Sequence, residues 1–299
     1  MKSKTGFTLV EVLAAMAVLV ILVLALTRMF MQAADITKRG NTALMRNSTG
    51  ETALETILQD AEGMIVNERL ACYVEADVTD PNGFGFDDVW FISTSGDQDD
   101  DIPYEYFHYF VTNRVVTNAL GAAYQRFNLV KDRMLFAVGD ARGLYALDPA
   151  STRWWTNAAT FGGMSWDRQV LADNVVRFDI YLQGWKRKPW EEPDEPWEEP
   201  DDWMRGDEFD STKGPARNLK YANIPPAAFD IYMQITSADV AAEAGMALMS
   251  PETAQMGREM MVRESAAFFG RAVPIAGAAQ YNRMREYGGT NNVAYYYYE

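Results

Sequence analysis

Between Phe7 and Leu26 the chain carries twenty residues, of which Glu11 alone is charged. At about 1.5 Å of rise per residue this run makes a helix roughly 30 Å long, matching the hydrocarbon core of a bilayer. A secretory signal has a shorter apolar region, about 7–15 residues, closed by a small-x-small site. Here Arg28, Met29, Phe30 and Met31 follow the run without such a site. The pattern therefore predicts a single-pass membrane helix. Lys2 and Lys4 precede it, which keeps the N-terminus cytoplasmic and sends the rest of the chain across.

Helical periodicity continues beyond the apolar run. Leu54, Ile57, Leu58 and Ala61 recur at i, i+3, i+4 and i+7, flanked by Glu51, Glu55, Gln59 and Asp60. One helix is expected from about 7 to 62, loosened at Gly40 and Gly50, each of which costs about 1 kcal/mol relative to Ala. Gly63 is the expected stop. The periodicity then changes from 3.6 to 2. Met64–Val74, Asp88–Thr94, Tyr104–Val116 and Tyr124–Val130 read as strands, with Asp80-Pro81-Asn82-Gly83 as a turn between the first two. In the clearest alternation Val176, Phe178, Ile180 and Leu182 oppose Arg177, Asp179 and Gln183. Phe229, Ile231, Met233 and Ile235 repeat it against Asp230, Tyr232 and Gln234. Pro251–Ala267 reads as a helical connection and Phe268–Ile275 as a last strand.

Composition narrows the function classes. The 48% hydrophobic and 23% charged content is that of a folded chain. A net charge of −15, with no Lys/Arg stripe, argues against a nucleic-acid partner. Cys72 is the single cysteine and His108 the single histidine, so neither an internal disulfide nor a Cys/His zinc cluster can form. Both read as structural residues. No phosphate-binding glycine loop, HExxH, GxSxG or SxxK motif occurs, and no enzyme and no small-molecule substrate is expected.

Lys4-Thr5-Gly6-Phe7-Thr8-Leu9-Val10-Glu11 resembles the class III leader of type IV pilins and type II secretion pseudopilins: a short basic leader ending in Gly, then Phe, then apolar residues with Glu at the fifth mature position. The resemblance implies cleavage after Gly6 by prepilin peptidase, N-methylation of Phe7 and a place in the inner membrane with a periplasmic head. It also offers a reason for Glu11. A carboxylate near hydrocarbon costs several kcal/mol unless paired, and cleavage creates an α-ammonium one helical turn away, with another on a neighbouring subunit. Glu11 is expected to pair with such an amine during assembly; the plainer reading is a Glu tolerated near the headgroups. Farther on, "LADNVVRFDIYLQGW" followed by "IPPAAFDIYMQI" is similar to the minor pseudopilin J pattern, with Val175, Phe178, Tyr181, Trp185 and Pro226 at the matching positions.

The expected organisation is a leader (1–6), a membrane or filament-core helix (7–29), its amphipathic continuation (30–62), a head (63–285) with an acidic Pro/Trp insertion at about 186–222, and a flexible Tyr-rich tail (286–299). The fold class is α+β and pilin-like, a long N-terminal helix packed on an antiparallel sheet. Inside the insertion Pro189-Trp190-Glu191-Glu192-Pro193-Asp194 recurs as Pro196-Trp197-Glu198-Glu199-Pro200-Asp201, an extended solvated loop. Trp190 and Trp197 either lie on the head's own surface or anchor a partner. Asp97, Asp99 and Asp101 alternate as in calcium loops, but Ile102 and His108 occupy the places that need Gly and Glu. That run reads as a solvated acidic turn, calcium being the one cofactor candidate. The functional expectation is a structural minor pseudopilin of a type II secretion or type IV pilus-like assembly, with other pilin-like subunits as partners. The alternative is a membrane-tethered periplasmic binding or adhesion protein that shares the leader but enters no filament.

Overall fold

A computed structural model describes residues 9–65, 72–79, 83–94, 104–118, 121–136, 167–183, 186–187, 209–210, 228–272 and 296–297. The chain divides into two compact units, Met1–Met45 and Arg46–Glu299. The first contains most of helix α1, Leu9–Glu62; the second contains its last turns and the sheet.

Within the second unit the stripe on α1 is a core face. Gly50, Ala53, Leu54, Ile57 and Ala61 are buried, and Leu58 packs against the same cluster. Each fully buried Leu or Ile contributes about 1.5–3 kcal/mol. α1 runs through both glycines without interruption, which corrects the expected loosening. At Gly50 the reason is steric: an added Cβ would lie 2.4 Å from the ring of Phe268, so the missing side chain is what admits the ring. Gly40 has nothing within 4 Å of its Cβ position.

The strands are β1 (Met64–Ile65), β2 (Tyr73–Thr79), β3 (Gly85–Thr94), β4 (Tyr104–Thr117), β5 (Ala123–Phe136), β6 (Asp167–Asp173), β7 (Val175–Gln183), β8 (Lys186–Arg187), β9 (Phe209–Asp210), β10 (Ala228–Thr236), β11 (Ser265–Ala272) and β12 (Tyr296–Tyr297). The main order is β11-β10-β7-β3-β4-β5-β6, with β1, β2 and β9 off that path and β8–β12 a separate pair. The fold is α+β and the sheet antiparallel-rich but mixed, because β3 and β7 run parallel where Phe86 meets Phe178. β3 carries β7 and β4 at successive positions, Phe86 for the first and Val89 onward for the second. At this fork the buried Asp87 carboxylate accepts the amide N–H of Ile180 at 2.6 Å, a donor that would otherwise be costly to bury. Asn174, at φ 61°, is the one-residue bend between β6 and β7, and Asn tolerates that left-handed conformation better than most residues.

Several boundaries differ from the expectations. The strand expected over 64–74 is two: β1 ends at Ile65, β2 starts at Tyr73, and 66–71 lie outside the described residues. β3 begins at Gly85 rather than Asp88. β5 continues to Phe136 through Lys131, Asp132 and Arg133 because all three charges find partners: Asp60, Arg168 and Glu105. β6, an edge strand with four exposed residues, has no alternation to betray it. Helix α2 (Ala238–Ala247), also not anticipated, is capped by the Ser237 hydroxyl, which accepts from the Val240 amide. The connection expected over 251–267 is shorter, helix α3 (Ala254–Arg263), and β11 starts at Ser265, in unbroken register with β10. The alternations in β7 and β10 hold: Phe178, Ile180, Leu182, Phe229, Ile231, Met233 and Ile235 are all buried.

α2 lies against β5 at Gly245, where a Cβ would meet the carbonyl oxygen of Gln125 at 2.4 Å. That oxygen is backbone and cannot turn aside, whereas the Phe268 ring at Gly50 can shift. Gly245→Ala is therefore expected to lower unfolding free energy by about 2–3 kcal/mol and Gly50→Ala by about 1–2, overpacking exceeding the helical gain. Gly40→Ala should instead be neutral or stabilising by up to about 1 kcal/mol. Denaturant titration of the detergent-solubilised protein measures all three.

Candidate assembly helix and its anchorage

The described part of the first unit is a helix whose apolar side chains are exposed throughout 9–41. Leu9, Leu13, Met16, Leu19, Ile21, Leu24 and Phe30 are among them, Phe30 at 73%. They belong to the one helix long and apolar enough to cross a membrane among the described residues, and none of its most apolar 18-residue window is buried. Its polar groups are managed locally: the Thr27 hydroxyl donates to the Val23 carbonyl at 2.8 Å, and Thr37 does the same to Ala33 at 2.9 Å. Such back-bonding lets a hydroxyl sit in an apolar setting. Glu11 stands in the first turn of α1, where a carboxylate opposes the positive end of the helix dipole. An exposed apolar surface of this extent requires lipid or equally apolar helices around it.

In the second unit α1 is fastened to the sheet by a polar clasp. The Asp60 carboxylate accepts from the Tyr109 hydroxyl of β4 and pairs with the Lys131 ammonium of β5. Lys131 also sits 4.5 Å from the Phe107 ring centroid, a cation–π contact. The pair is largely out of water, with side-chain exposures of 10% for Lys131 and 17% for Asp60. Burial pushes the Tyr109 phenol well above its ordinary range, and the Asp60 charge raises it further. Around the apolar face this clasp fixes both the height and the rotation of the last turns of α1.

The other face of the sheet carries a second apolar layer, outside the core cluster: Tyr73, Trp90, Ile92, Tyr106, Val130 and Met134 are buried there. His108 is stacked between Trp90 and Phe110, ring centroids 4.5 and 4.2 Å apart. Cys72 is buried in the core cluster. The structure thus gives each a packing role and brings no nucleophilic pair together. Bidentate pairs Arg133–Glu105, Arg168–Asp132 and Arg271–Asp230, at 2.5–2.9 Å, tie neighbouring strands.

Of the residues singled out from the sequence, Gly6 and Phe7 lie outside the described residues, as do Asp97, Asp99 and Asp101, Trp190 and Trp197, and Trp185 and Pro226. Val175 and Phe178 are core residues of β7, and the Tyr181 hydroxyl donates to Asp179 at 3.1 Å. Among the described residues no group of three or more His, Cys, Asp or Glu side chains has the arrangement of a metal site. The clasp was not anticipated. Asp60 reads as one more polar residue flanking the stripe, and its position three residues after Ile57 is the only hint that it faces the sheet.

A family model, the prokaryotic N-terminal methylation motif, matches residues 1–27. No curated protein and no solved structure matches the chain. The matched segment is a leader motif of the type IV pilin-like kind, and it runs into a helix long and apolar enough to cross a membrane.

Removing one member of the clasp strands the other. Lys131→Met is expected to destabilise the head by about 3 kcal/mol, and Asp60→Leu/Lys131→Met by clearly less than the sum of the single changes. Because the folded-state pKa of Tyr109 is raised, its stabilising contribution is fully present below the unfolded value of about 10 and is lost as pH rises beyond it. Unfolding free energies across pH 7–12 should stay level to about pH 10 and then fall, less steeply in Tyr109→Phe.

Proposed function

From the methylation motif at residues 1–27, we propose that this chain is a structural, non-enzymatic subunit of a pilus-like filament. It is a minor pseudopilin of a type II secretion or type IV pilus-like assembly. In this reading prepilin peptidase cuts after Gly6 and Phe7 is N-methylated. α1 holds the subunit in the inner membrane, N-terminus inward and head in the periplasm, until it exchanges lipid for the helices of other pilin-like subunits. The reading needs no cofactor, nucleic acid or small-molecule substrate.

The observation that carries it is the motif itself, in register with a helix that begins in an exposed apolar stretch and ends as core of a folded head. Lipid and neighbouring helices are equally apolar, so hydrophobicity alone does not drive the exchange; packing and polar pairing must select it. Glu11 supplies the polar term. Its carboxylate, one turn from the new α-ammonium at Phe7, meets the corresponding amine of a neighbour and sets the axial register of the bundle.

A photo-crosslinking residue placed at Val12, beside Glu11, should couple the membrane-embedded chain to other pilin-like subunits. Glu11→Leu should reduce that coupling by about tenfold or more, the loss of one desolvated charge pair. Coupling to no such subunit, or full coupling in Glu11→Leu, would sink the assembly reading.

A further inference from the structure

The face of the sheet turned away from the end of α1 changes character across its width. Over β3, β4 and β5 it is closed by the apolar layer of Trp90, Ile92, Tyr106 and Val130. Over β7, β10 and β11 it is open. Antiparallel register there sets nine residues in three cross-strand rows: Ala267, Gln234 and Arg177; Phe269, Tyr232 and Asp179; Arg271, Asp230 and Tyr181. All alternate with core residues and so share one face, which measures about 10 Å across the strands and about 13 Å along them. Phe269 is 61% exposed, whereas its neighbour Phe268 packs against the core. Ala267 is also exposed, and Gln234, Tyr232 and Tyr181 are half-buried.

Charge on this face is settled within it. The Arg177 Nε–H donates to Asp179 at 2.6 Å, and the Tyr181 hydroxyl donates to the same carboxylate at 3.1 Å. Arg271 holds Asp230 through two bonds, at 2.6 and 2.7 Å. Two arginines and two aspartates cancel, so a patch on a chain of net charge −15 presents no excess of either sign. What it offers instead is flat and amphipathic. The Arg177 guanidinium lies 5.0 Å from the Tyr232 ring centroid, and Phe269 is the cross-strand neighbour of Tyr232. The Gln234 Nε2–H donates to the Tyr232 hydroxyl at 2.6 Å, while its Oε1 has no hydrogen-bond partner. Arg177 carries N–H donors beyond the one that Asp179 takes.

An anionic partner would find these arginines already neutralised, and a cationic one the aspartates. A wholly apolar partner would bury the Gln234 amide and the Arg177 donors with nothing to bond, which is costly. A sugar ring satisfies both demands, since its C–H face packs on aromatic rings and its hydroxyls donate and accept at planar polar groups. We infer that this face binds an uncharged saccharide chain, with Phe269 and the Arg177–Tyr232 stack as the platform and Arg177 and Gln234 as partners for ring hydroxyls. The site lies wholly in the head and does not depend on whether α1 enters a filament.

The test titrates cellohexaose and chitohexaose, two uncharged probes, into the full-length protein by calorimetry, in a detergent without a sugar headgroup. Saturable binding of at least one is expected. Phe269→Ala should weaken it about tenfold and Phe269→Tyr should retain it. Arg177→Met should weaken it about fivefold. Val115→Ala, equally exposed at 61% but on β4, should leave it unchanged. Melting temperature checks that each variant is folded, and Phe269→Ala, which removes a largely exposed ring, decides the matter if Arg177→Met unfolds. Saturable binding of neither probe, or unchanged affinity in Phe269→Ala, overturns the proposal. Self-association that Phe269→Ala abolishes, with no sugar bound, assigns the face to a second copy and overturns it as well.

Discussion

A single carboxylate, Asp60, holds the end of α1 to the sheet, and the division of labour along that helix depends on it. Tyr109 and Lys131 reach the same carboxylate from β4 and β5, so the last turns of α1 can neither rotate nor slide without exposing a buried charge. The apolar face beneath them supplies most of the adhesion, but apolar contacts are non-directional and tolerate small slips. The clasp converts adhesion into a fixed attachment. A force or a packing contact applied to the exposed part of α1 has a rigid terminus to act against only if this attachment holds.

The same helix meets two solvents with one backbone. Its early residues expose leucine, valine and methionine on every side, the composition of a segment surrounded by hydrocarbon. Its last turns confine apolar residues to a stripe and leave glutamates outside. Gly50 shows how closely the second regime is built: helix propensity argues against a glycine there, and the Phe268 ring requires one. The outer layer of Tyr73, Trp90, His108 and Phe110 adds a second constraint, since β3 and β4 are packed on both faces.

How much of this was legible in the sequence varies by the physics involved. The long helix was legible because an apolar run and an i, i+3, i+4 stripe are periodic signals, and β7 and β10 were legible because they alternate cleanly. β6 and the end of β5 were hidden because their charges are satisfied by cross-strand pairs that no local pattern contains. α2 was hidden although Ser237 is an ordinary cap, because Ala-rich segments carry little contrast between faces. The leader was legible for the opposite reason to the clasp. Processing is read from a contiguous run, Gly6-Phe7 through Glu11, while Asp60, Tyr109 and Lys131 are gathered from three elements by folding.

Cleavage would give the exposed carboxylate at Glu11 a new positive neighbour, and that event would turn a membrane anchor into an assembly element. Mass spectrometry of the N-terminal peptide of the protein isolated from membranes tests this most directly. The expected result is a mature chain beginning at N-methylated Phe7. A chain beginning at Met1, or one cut beyond the apolar run near Met31, would contradict it.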